Sequence, residues 1–140
     1  MNSASNKGGI FHPKSNMPDE RRVFGTKGES RAAAFLKQKG LEMIGSQVRT
    51  KYGEIDLICL EGDEVVFVEV KTRRTRGYGH PEEAITPTKF HHMARAAEAY
   101  MVEKKWEQRS FRLDVIAIQE LEGKEPEIVH FPSIDRACGF

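Results

Sequence analysis

Residues 53–71 read GEIDLICLEGDEVVFVEVK, and this stretch decides the fold. Two apolar runs rich in β-forming residues flank a turn that contains glycine, which predicts a β-hairpin. A two-residue turn and a four-residue loop give the same register, because both place Leu60 opposite Val65. In that register Asp56 lies directly opposite Glu69.

Strict alternation of side chains along both strands assigns the residues of the hairpin to two faces. Glu54 lies opposite Lys71 on the same face as the two carboxylates. The apolar residues of that face are Ile58, Leu60, Val65 and Phe67. The apolar residues of the other face are Ile55, Leu57, Val66, Val68 and Val70. Because both faces are apolar, we expect other elements to cover both of them.

The opposed carboxylates are unfavourable unless another group compensates them. Directly opposed residues have Cβ atoms about 4.5–5.5 Å apart, and like charges at that distance repel each other. A covered carboxylate pair therefore needs a cation, a shared proton or an open cleft. A divalent metal ion would satisfy the pair. A salt-bridge cluster of Glu54, Asp56, Glu69 and Lys71 at the sheet end would satisfy it equally well.

Length and composition indicate one ordinary globular domain. The chain has 140 residues and a formal net charge of +1, so any argument for nucleic-acid binding must be local. Residues 1–20 are rich in Ser, Asn, Gly, Lys and Pro and predict a disordered tail, followed by a single domain at residues 21–140. Cys59 and Cys138 are too few for a disulfide framework. No run is apolar enough for a membrane span or signal segment, so we expect a cytoplasmic protein without a membrane partner.

The other elements follow from capping residues and periodicity. Thr26–Lys39 predicts a helix that ends before Gly40. Thr86 and Pro87 predict the start of a second helix, after a long loop at residues 72–86. Further strands are predicted at Met43–Arg49, Phe111–Ile118 and Glu127–Phe131. The order α-β-β-β-α-β predicts an α/β fold with a mixed sheet flanked by helices.

The residues at the end of the hairpin form a chemically coherent set. Hard divalent cations such as Mg²⁺ or Mn²⁺ prefer the oxygen ligands that Asp56 and Glu69 supply. Lys71, two residues from Glu69 on the same face, can orient a water molecule or hold a phosphate. No His or Cys lies in the set, which argues against zinc.

Asp56, followed after a hairpin by Glu69-Val70-Lys71, resembles the PD-(D/E)XK signature of the restriction-endonuclease-like superfamily. This chain departs from the signature at one position, where Ile55 stands in place of the proline. The whole chain more closely resembles the YraN family of bacterial predicted endonucleases. The matching stretches are Gly28-Glu29, Gly53 to Ile58, Val66 to Lys71, Pro81 to Ile85, Pro87 with Lys89, and Arg112 with Asp114 to Ile116. The chain is also similar to archaeal Holliday-junction resolvases.

This resemblance implies a restriction-endonuclease-like core and metal-dependent phosphodiester hydrolysis. It implies that Asp56 and Glu69 are metal ligands, with Mg²⁺ or Mn²⁺ as cofactor, and that Lys71 is the catalytic lysine. Glu29 matches an acidic residue on the first helix of the resolvases, which implies a further metal ligand and catalytic group. Its alternative role is as the capping-box Glu of its helix, paired with Thr26. A homodimer is suggested only by analogy with the resolvases.

Basic residues cluster close to the predicted site. The candidates for binding nucleic acid are Arg73, Arg74, Arg76, Lys89 and Arg95. Tyr78 and His80, beside glycines, are candidates for stacking on a base, and a mobile loop tip is the equal alternative. Each basic residue has the alternative interpretation of ordinary solvated surface. Asp114 is expected to be structural, and the acidic run from Glu120 to Glu127 is expected to be a solvated edge away from DNA.

The sequence therefore predicts a metal-dependent endonuclease that acts on DNA, including branched or damaged DNA. The first alternative is a nucleic-acid-binding module that keeps the fold without catalysis. The second is a structural or adaptor protein whose acidic cluster has no present function. Divalent-metal binding at Asp56 and Glu69 would separate the first interpretation from both alternatives.

Overall fold

A computed structural model describes residues 27–73 and 85–137, without the side chains of residues 136 and 137. The elements within these ranges are α1 (Lys27–Gln38), β1 (Glu42–Thr50), β2 (Gly53–Glu61), β3 (Glu64–Arg73), α2 (Pro87–Glu103), β4 (Phe111–Gln119), β5 (Glu127–Phe131) and α3 (Ile134–Ala137). The predicted order α-β-β-β-α-β is confirmed, and α3 is an addition that the sequence analysis did not predict. The predicted tail at residues 1–20 lies outside the described residues.

The described strands form one sheet in the order β1-β2-β3-β4-β5. Every neighbouring pair is antiparallel except β3 and β4, which are parallel because the chain crosses between them through α2. The predicted hairpin register is confirmed from Glu61 opposite Glu64 to Leu57 opposite Val68. The sheet is therefore mixed, as the sequence predicts.

Both faces of the sheet are covered, which confirms the expectation from the doubly apolar hairpin. Ala32, Ala33 and Leu36 of α1 pack on one face. Their partners in the strands are Leu57, Cys59, Val66, Val68, Ile116 and Ile118. The apolar stripe of α2 packs on the other face, where its partners include Ile58, Val65, Phe67 and Val115. The carboxylates at the end of β2 and β3 thus sit between two packed layers.

The start of α2 is fixed by its cap. The Thr86 hydroxyl accepts a hydrogen bond from the backbone N–H of Lys89 at 3.1 Å, and Pro87 occupies the first turn. The predicted cap is confirmed. It holds Lys89 on the first turn of the helix, at the end of the sheet where β3 finishes. No helix in the two described ranges has the length and apolarity needed to cross a membrane.

Strict alternation breaks at Asp56. Ile55 packs in the same cluster as Ile58, three residues away, although regular alternation would place them on opposite faces. The predicted face of Ile55 was therefore wrong. Opposite this point, Gln47 lies between the partners of Leu57 and Ile55 and has a φ of 49°, a left-handed conformation unusual for a residue other than glycine. The irregular backbone thus changes the alternation of side chains along β2 at Asp56, which is the residue of this strand predicted to bind metal.

Candidate active site

Asp56 lies where β2 and β3 separate. Their paired ladder ends at Leu57 opposite Val68, one step before Asp56 and Glu69 would pair. The Asp56 carboxylate accepts a hydrogen bond from the backbone N–H of Val70 at 2.8 Å. A side chain thus satisfies a backbone donor at the point where the two strands part, and it holds Asp56 beside Glu69.

Glu69 is a nearly buried carboxylate with two lysines beside it. The residue is 7% exposed. Its Oε2 atom lies 4.0 Å from the Lys71 Nζ and 3.7 Å from the Lys89 Nζ. Lys71 comes from β3 and Lys89 from the capped first turn of α2. Lys89, predicted to bind nucleic acid, therefore lies inside the site, nearer to Glu69 than the predicted catalytic lysine.

Glu29 enters the site from the first turn of α1. It is 6% exposed, although most glutamates lie at the surface. Burial and the negative charges of Asp56 and Glu54 raise the pKa of Glu29 from 4.5 to about 8. The helix thus places a third carboxyl group beside the pair from the hairpin. Thr26 lies outside the described residues, so the capping alternative for Glu29 stays a prediction.

The two hairpin carboxylates are also poorly compensated. Burial raises the pKa of Asp56, and Glu54 adds to the effect, against the Val70 N–H and Lys89, which favour the charged form. Burial and the neighbouring Asp56 raise the pKa of Glu69 in spite of both lysines. Three acidic groups with raised pKa values in one place indicate a functional site more often than a structural one.

The three carboxylates line an open pocket of about 500 Å³. The remaining lining residues are Lys27, Gly28, Val70, Thr72 and Glu120. Glu120 was expected on a solvated edge, and that expectation was wrong. Its backbone N–H bonds the carbonyl oxygen of Arg73 at 2.7 Å, and its carboxylate pairs with Arg31 of α1 at 2.7 Å. The parallel pairing of β3 and β4 brings the end of β4 beside the end of β3. Local residue spacing along the chain does not predict this pairing.

The donor set fits a hard divalent cation in chemical type. Asp56, Glu69 and Glu29 offer only carboxylate oxygens, and a cation would relieve the repulsion that raises their pKa values. Among the residues that the structure describes, no group of three or more His, Cys, Asp or Glu side chains is already arranged to hold a metal ion.

The other predicted residues lie outside this cluster. Glu54 pairs with Arg49 at 3.7 Å, so the predicted salt-bridge cluster is not reproduced as one unit. Arg73 is exposed at the end of β3, and Arg95 is exposed on α2. Arg74 and Arg76, with Tyr78 and His80, lie outside the described residues.

Asp114 is structural, as expected, but it faces neither the pocket nor solvent. It is fully buried, and it accepts hydrogen bonds from the side chains of Arg112 and His130 and from the backbone N–H of Ser133. Two of these partners, His130 and Ser133, come from β5 and the residues that follow it, so alternation along β4 alone did not predict them.

Comparison with known proteins gives one consistent match. Residues 28–118 match the model of a family described as "Uncharacterised protein family UPF0102". A UPF0102 protein of Caldicellulosiruptor saccharolyticus is 44% identical over 98 residues, which are 70% of this chain and 83% of the relative. A UPF0102 protein of Rhodococcus opacus is 44% identical over 108 residues, 77% of this chain and 92% of the relative. A third, from Syntrophotalea carbinolica, is 37% identical over 116 residues, 83% and 94% of the two chains.

Proposed function

We propose that this chain, which belongs to the uncharacterised protein family UPF0102, is a metal-dependent endonuclease that hydrolyses phosphodiester bonds in DNA. The observation that supports this proposal most strongly is that Glu29, Asp56 and Glu69 line one open pocket. Lys71 and Lys89 lie beside Glu69. The three carboxyl groups come from a helix and two strands. Their raised pKa values are an energetic penalty that a purely structural role would not require.

The order of elements supports the same proposal. The α-β-β-β-α-β arrangement, with Asp56 on the second strand and Glu69 and Lys71 on the third, resembles the restriction-endonuclease-like superfamily. Fold alone does not establish an activity, so the chemistry of the pocket has to carry the conclusion. Mg²⁺ or Mn²⁺ is the cofactor that this donor set suits best.

Each residue has a defined task in this proposal. Asp56 is oriented by the Val70 N–H and lines the pocket. Asp56, Glu69 and Glu29 would hold the cation, which when bound lowers the pKa of a water molecule and stabilises charge on a phosphoryl oxygen. Lys71 and Lys89 can present their ammonium groups to a phosphate once Glu69 has another partner.

A cleavage screen tests this proposal. The full chain with Mg²⁺ or Mn²⁺ is incubated with single-stranded, duplex, flap and four-way-junction DNA, and with RNA. We expect cleavage of at least one DNA form. We also expect Asp56→Asn, Glu69→Gln and Lys71→Ala each to reduce its rate by at least about 100-fold. Glu42→Gln is the matched control. Glu42 lies on β1 opposite Leu60, at the end of β2 away from Asp56, so this variant should cleave as the wild type does.

A nucleic-acid-binding module without catalysis is the second candidate. It is favoured by the absence, within the described ranges, of a ready three-ligand metal group. It predicts salt-sensitive DNA binding that Asp56→Asn leaves unchanged, and no metal-dependent cleavage of any substrate. Absence of cleavage with every substrate, in protein shown to be folded, would reject the endonuclease.

A further inference from the structure

We propose that Tyr52, Lys51 and Arg95 form a platform on which an unpaired nucleotide of the substrate stacks. This inference rests on the proposed function and specifies its substrate class: DNA with a single-stranded segment close to the bond that is cut. We call these three residues the Tyr52 platform. Tyr52 lies in the turn between β1 and β2, and Arg95 lies on α2.

The turn holds Tyr52 in a defined position. The Thr50 hydroxyl accepts a hydrogen bond from the Tyr52 backbone N–H at 3.0 Å and donates one to the Gly53 carbonyl at 2.9 Å. Gly53 has a φ of 132°, which glycine adopts readily and other residues do not. Even so, the Tyr52 residue is 36% exposed. A short, hydrogen-bonded turn therefore holds a large aromatic residue that stays partly exposed to solvent.

Two cations lie against this ring. The Lys51 Nζ is 5.4 Å from the ring centroid, and the Arg95 guanidinium carbon is 5.5 Å from it. Cation–π contacts are worth only about 0.5–1 kcal/mol at exposed sites, so a stacking base can displace one of these cations from the ring. Lys51 and Arg95 are both exposed, so their charges also remain accessible to phosphate groups. An aromatic ring flanked by accessible cations is the combination that single-stranded nucleic acid uses.

The platform lies at the end of the sheet that carries the pocket. Tyr52 precedes Asp56 by four residues, which corresponds to roughly 13 Å along an extended chain. Arg95 follows Lys89 by six residues, which corresponds to roughly 9 Å along the helix axis. Nucleotides are spaced about 3.4 Å apart along one stacked strand. A base on Tyr52 is therefore within a few nucleotides of a phosphodiester in the pocket, counted along a stacked strand.

Stacking on Tyr52 selects for unpaired bases. In a continuous duplex both faces of a base are covered by its neighbours, so an exposed protein ring has access only to bases that are single-stranded or displaced from the stack. The corresponding substrates are single strands, flaps and the branch points of junctions. Stacking tolerates any sequence because every base has a π-face, so the Tyr52 contact itself predicts no strong sequence preference.

Binding without metal tests the platform independently of catalysis. The affinity of the full chain for a single-stranded oligonucleotide and for a duplex of the same sequence is measured by fluorescence anisotropy in EDTA. We expect Tyr52→Ala to weaken single-strand binding about 5- to 100-fold, as expected for one lost stacking contact. Tyr52→Phe should retain the affinity, because the ring is kept. Duplex affinity should change little in either variant.

Arg95→Gln and Arg109→Gln form a matched pair for the cationic part of the platform. Arg109 also lies over an aromatic ring, Trp106, at 4.5 Å, but it binds the Asp63 carbonyl at the opposite end of the hairpin. Arg95→Gln should weaken single-strand binding several-fold, and Arg109→Gln should not. Ultraviolet cross-linking of an oligonucleotide that contains 5-iodouracil should join the base to Tyr52, as identified by mass spectrometry.

The outcomes separate the platform from the nuclease. Wild-type binding by Tyr52→Ala, with circular dichroism showing a folded protein, rejects the platform and leaves the endonuclease proposal standing. Single-strand binding that depends on Tyr52, together with failure to cleave any substrate, supports the platform and rejects the endonuclease. A folded wild-type protein that binds no single strand in EDTA and cleaves no substrate with Mg²⁺ or Mn²⁺ rejects both.

Discussion

Two buried carboxylate sites lie on neighbouring strands of this sheet, and they are compensated in opposite ways. Asp114 of β4 is paired with Val68 of β3, one residue before Glu69. Asp114 is surrounded by donors, whereas Glu69 shares its surroundings with Asp56 and Glu29. Neighbouring positions in one sheet thus hold a satisfied acid and an acidic cluster with too little positive charge.

The network around Asp114 is complete. Arg112 reaches Asp114 at 3.1 Å and also bonds Glu61 at 2.6 Å and Glu64 at 3.2 Å. His130 lies 2.8 Å from Asp114. Burial acts to raise the pKa of Asp114, but its hydrogen bonds from His130, the Ser133 backbone and Arg112 together hold that pKa below its ordinary value.

Lys39 fixes the tautomer of the histidine in this network. The Lys39 Nζ lies 2.8 Å from the His130 Nδ1, and an ammonium group has no lone pair to accept a proton. His130 Nδ1 is therefore the acceptor, and Nε2–H donates to Asp114. Every member of this group has a partner within the fold, so the group needs no ligand. In the pocket of Glu29, Asp56 and Glu69 the pKa values of all three carboxyl groups are raised instead, and this difference is the basis for proposing the pocket as the functional site.

The largest expected effect is a loss of folding stability when the network around Asp114 is broken. Asp114→Asn removes the charge opposite Arg112 and places an amide N–H₂ where acceptors are needed, so it should lower the free energy of unfolding by about 3–5 kcal/mol. Glu69→Gln is the matched change on the neighbouring strand. It removes an uncompensated charge and should lower stability by less than about 1 kcal/mol or raise it. Urea unfolding at pH 7 measures both.

Equal losses in the two variants would contradict this contrast, because they would make Glu69 as structural as Asp114. Glu98→Gln, an exposed carboxylate on α2, is the baseline for removing a surface charge and should leave the unfolding midpoint unchanged.

Local sequence patterns predicted the parts of this contrast that depend on neighbours in the chain. The hairpin register, the cap at Thr86 and the last strand at Glu127–Phe131 follow from turn chemistry, capping and alternation. The structure agrees with these three predictions because few other arrangements satisfy the same short-range rules. Asp56, Glu69 and Glu29 line one pocket, and the metal-binding and catalytic roles that the resemblance implies for them stay predictions.

Features that depend on distant neighbours were missed. Glu120 enters the pocket because β4 lies parallel to β3, and Lys89 reaches Glu69 because the capped helix starts at that end of the sheet. The break in alternation at Asp56 accompanies the positive φ of Gln47 on another strand. None of these relations appears in the spacing of residues within one segment.

A divalent cation should act on only one of the two sites. Mg²⁺ or Mn²⁺ at about 100 times its dissociation constant should raise the free energy of unfolding by about 2.7 kcal/mol, because only the folded pocket brings the three carboxylates together. The effect should vanish in Asp56→Asn and persist in His130→Gln, which alters the satisfied network instead. Thermal unfolding with and without metal measures it. Equal metal stabilisation of wild type and Asp56→Asn would place the cation elsewhere.

The smallest expected effect is a difference in pH dependence between the two sites. The pKa of Glu29 rises from 4.5 to about 8 on folding, so between these values the native state holds a proton that the unfolded state has lost. Stability from this group is complete below pH 4.5 and is lost as the pH rises through about 8. The lowered pKa of Asp114 acts in the opposite sense, since its contribution is lost only as the pH falls through the folded value, below 3.8.

At pH values between the titrations of Asp114 and Glu29, the charge of Glu29 changes on folding and that of Asp114 does not. In Glu29→Gln the decline of unfolding free energy with pH should be flatter than in the wild type, by at most about 1.4 kcal/mol per pH unit for one proton. Urea unfolding in metal-free buffer at several pH values between 4.5 and 8 measures the slope. Glu98→Gln should keep the wild-type slope. Parallel curves for wild type and Glu29→Gln would mean that Glu29 is ionised at neutral pH and already compensated, which would make the pocket resemble the Asp114 network rather than oppose it.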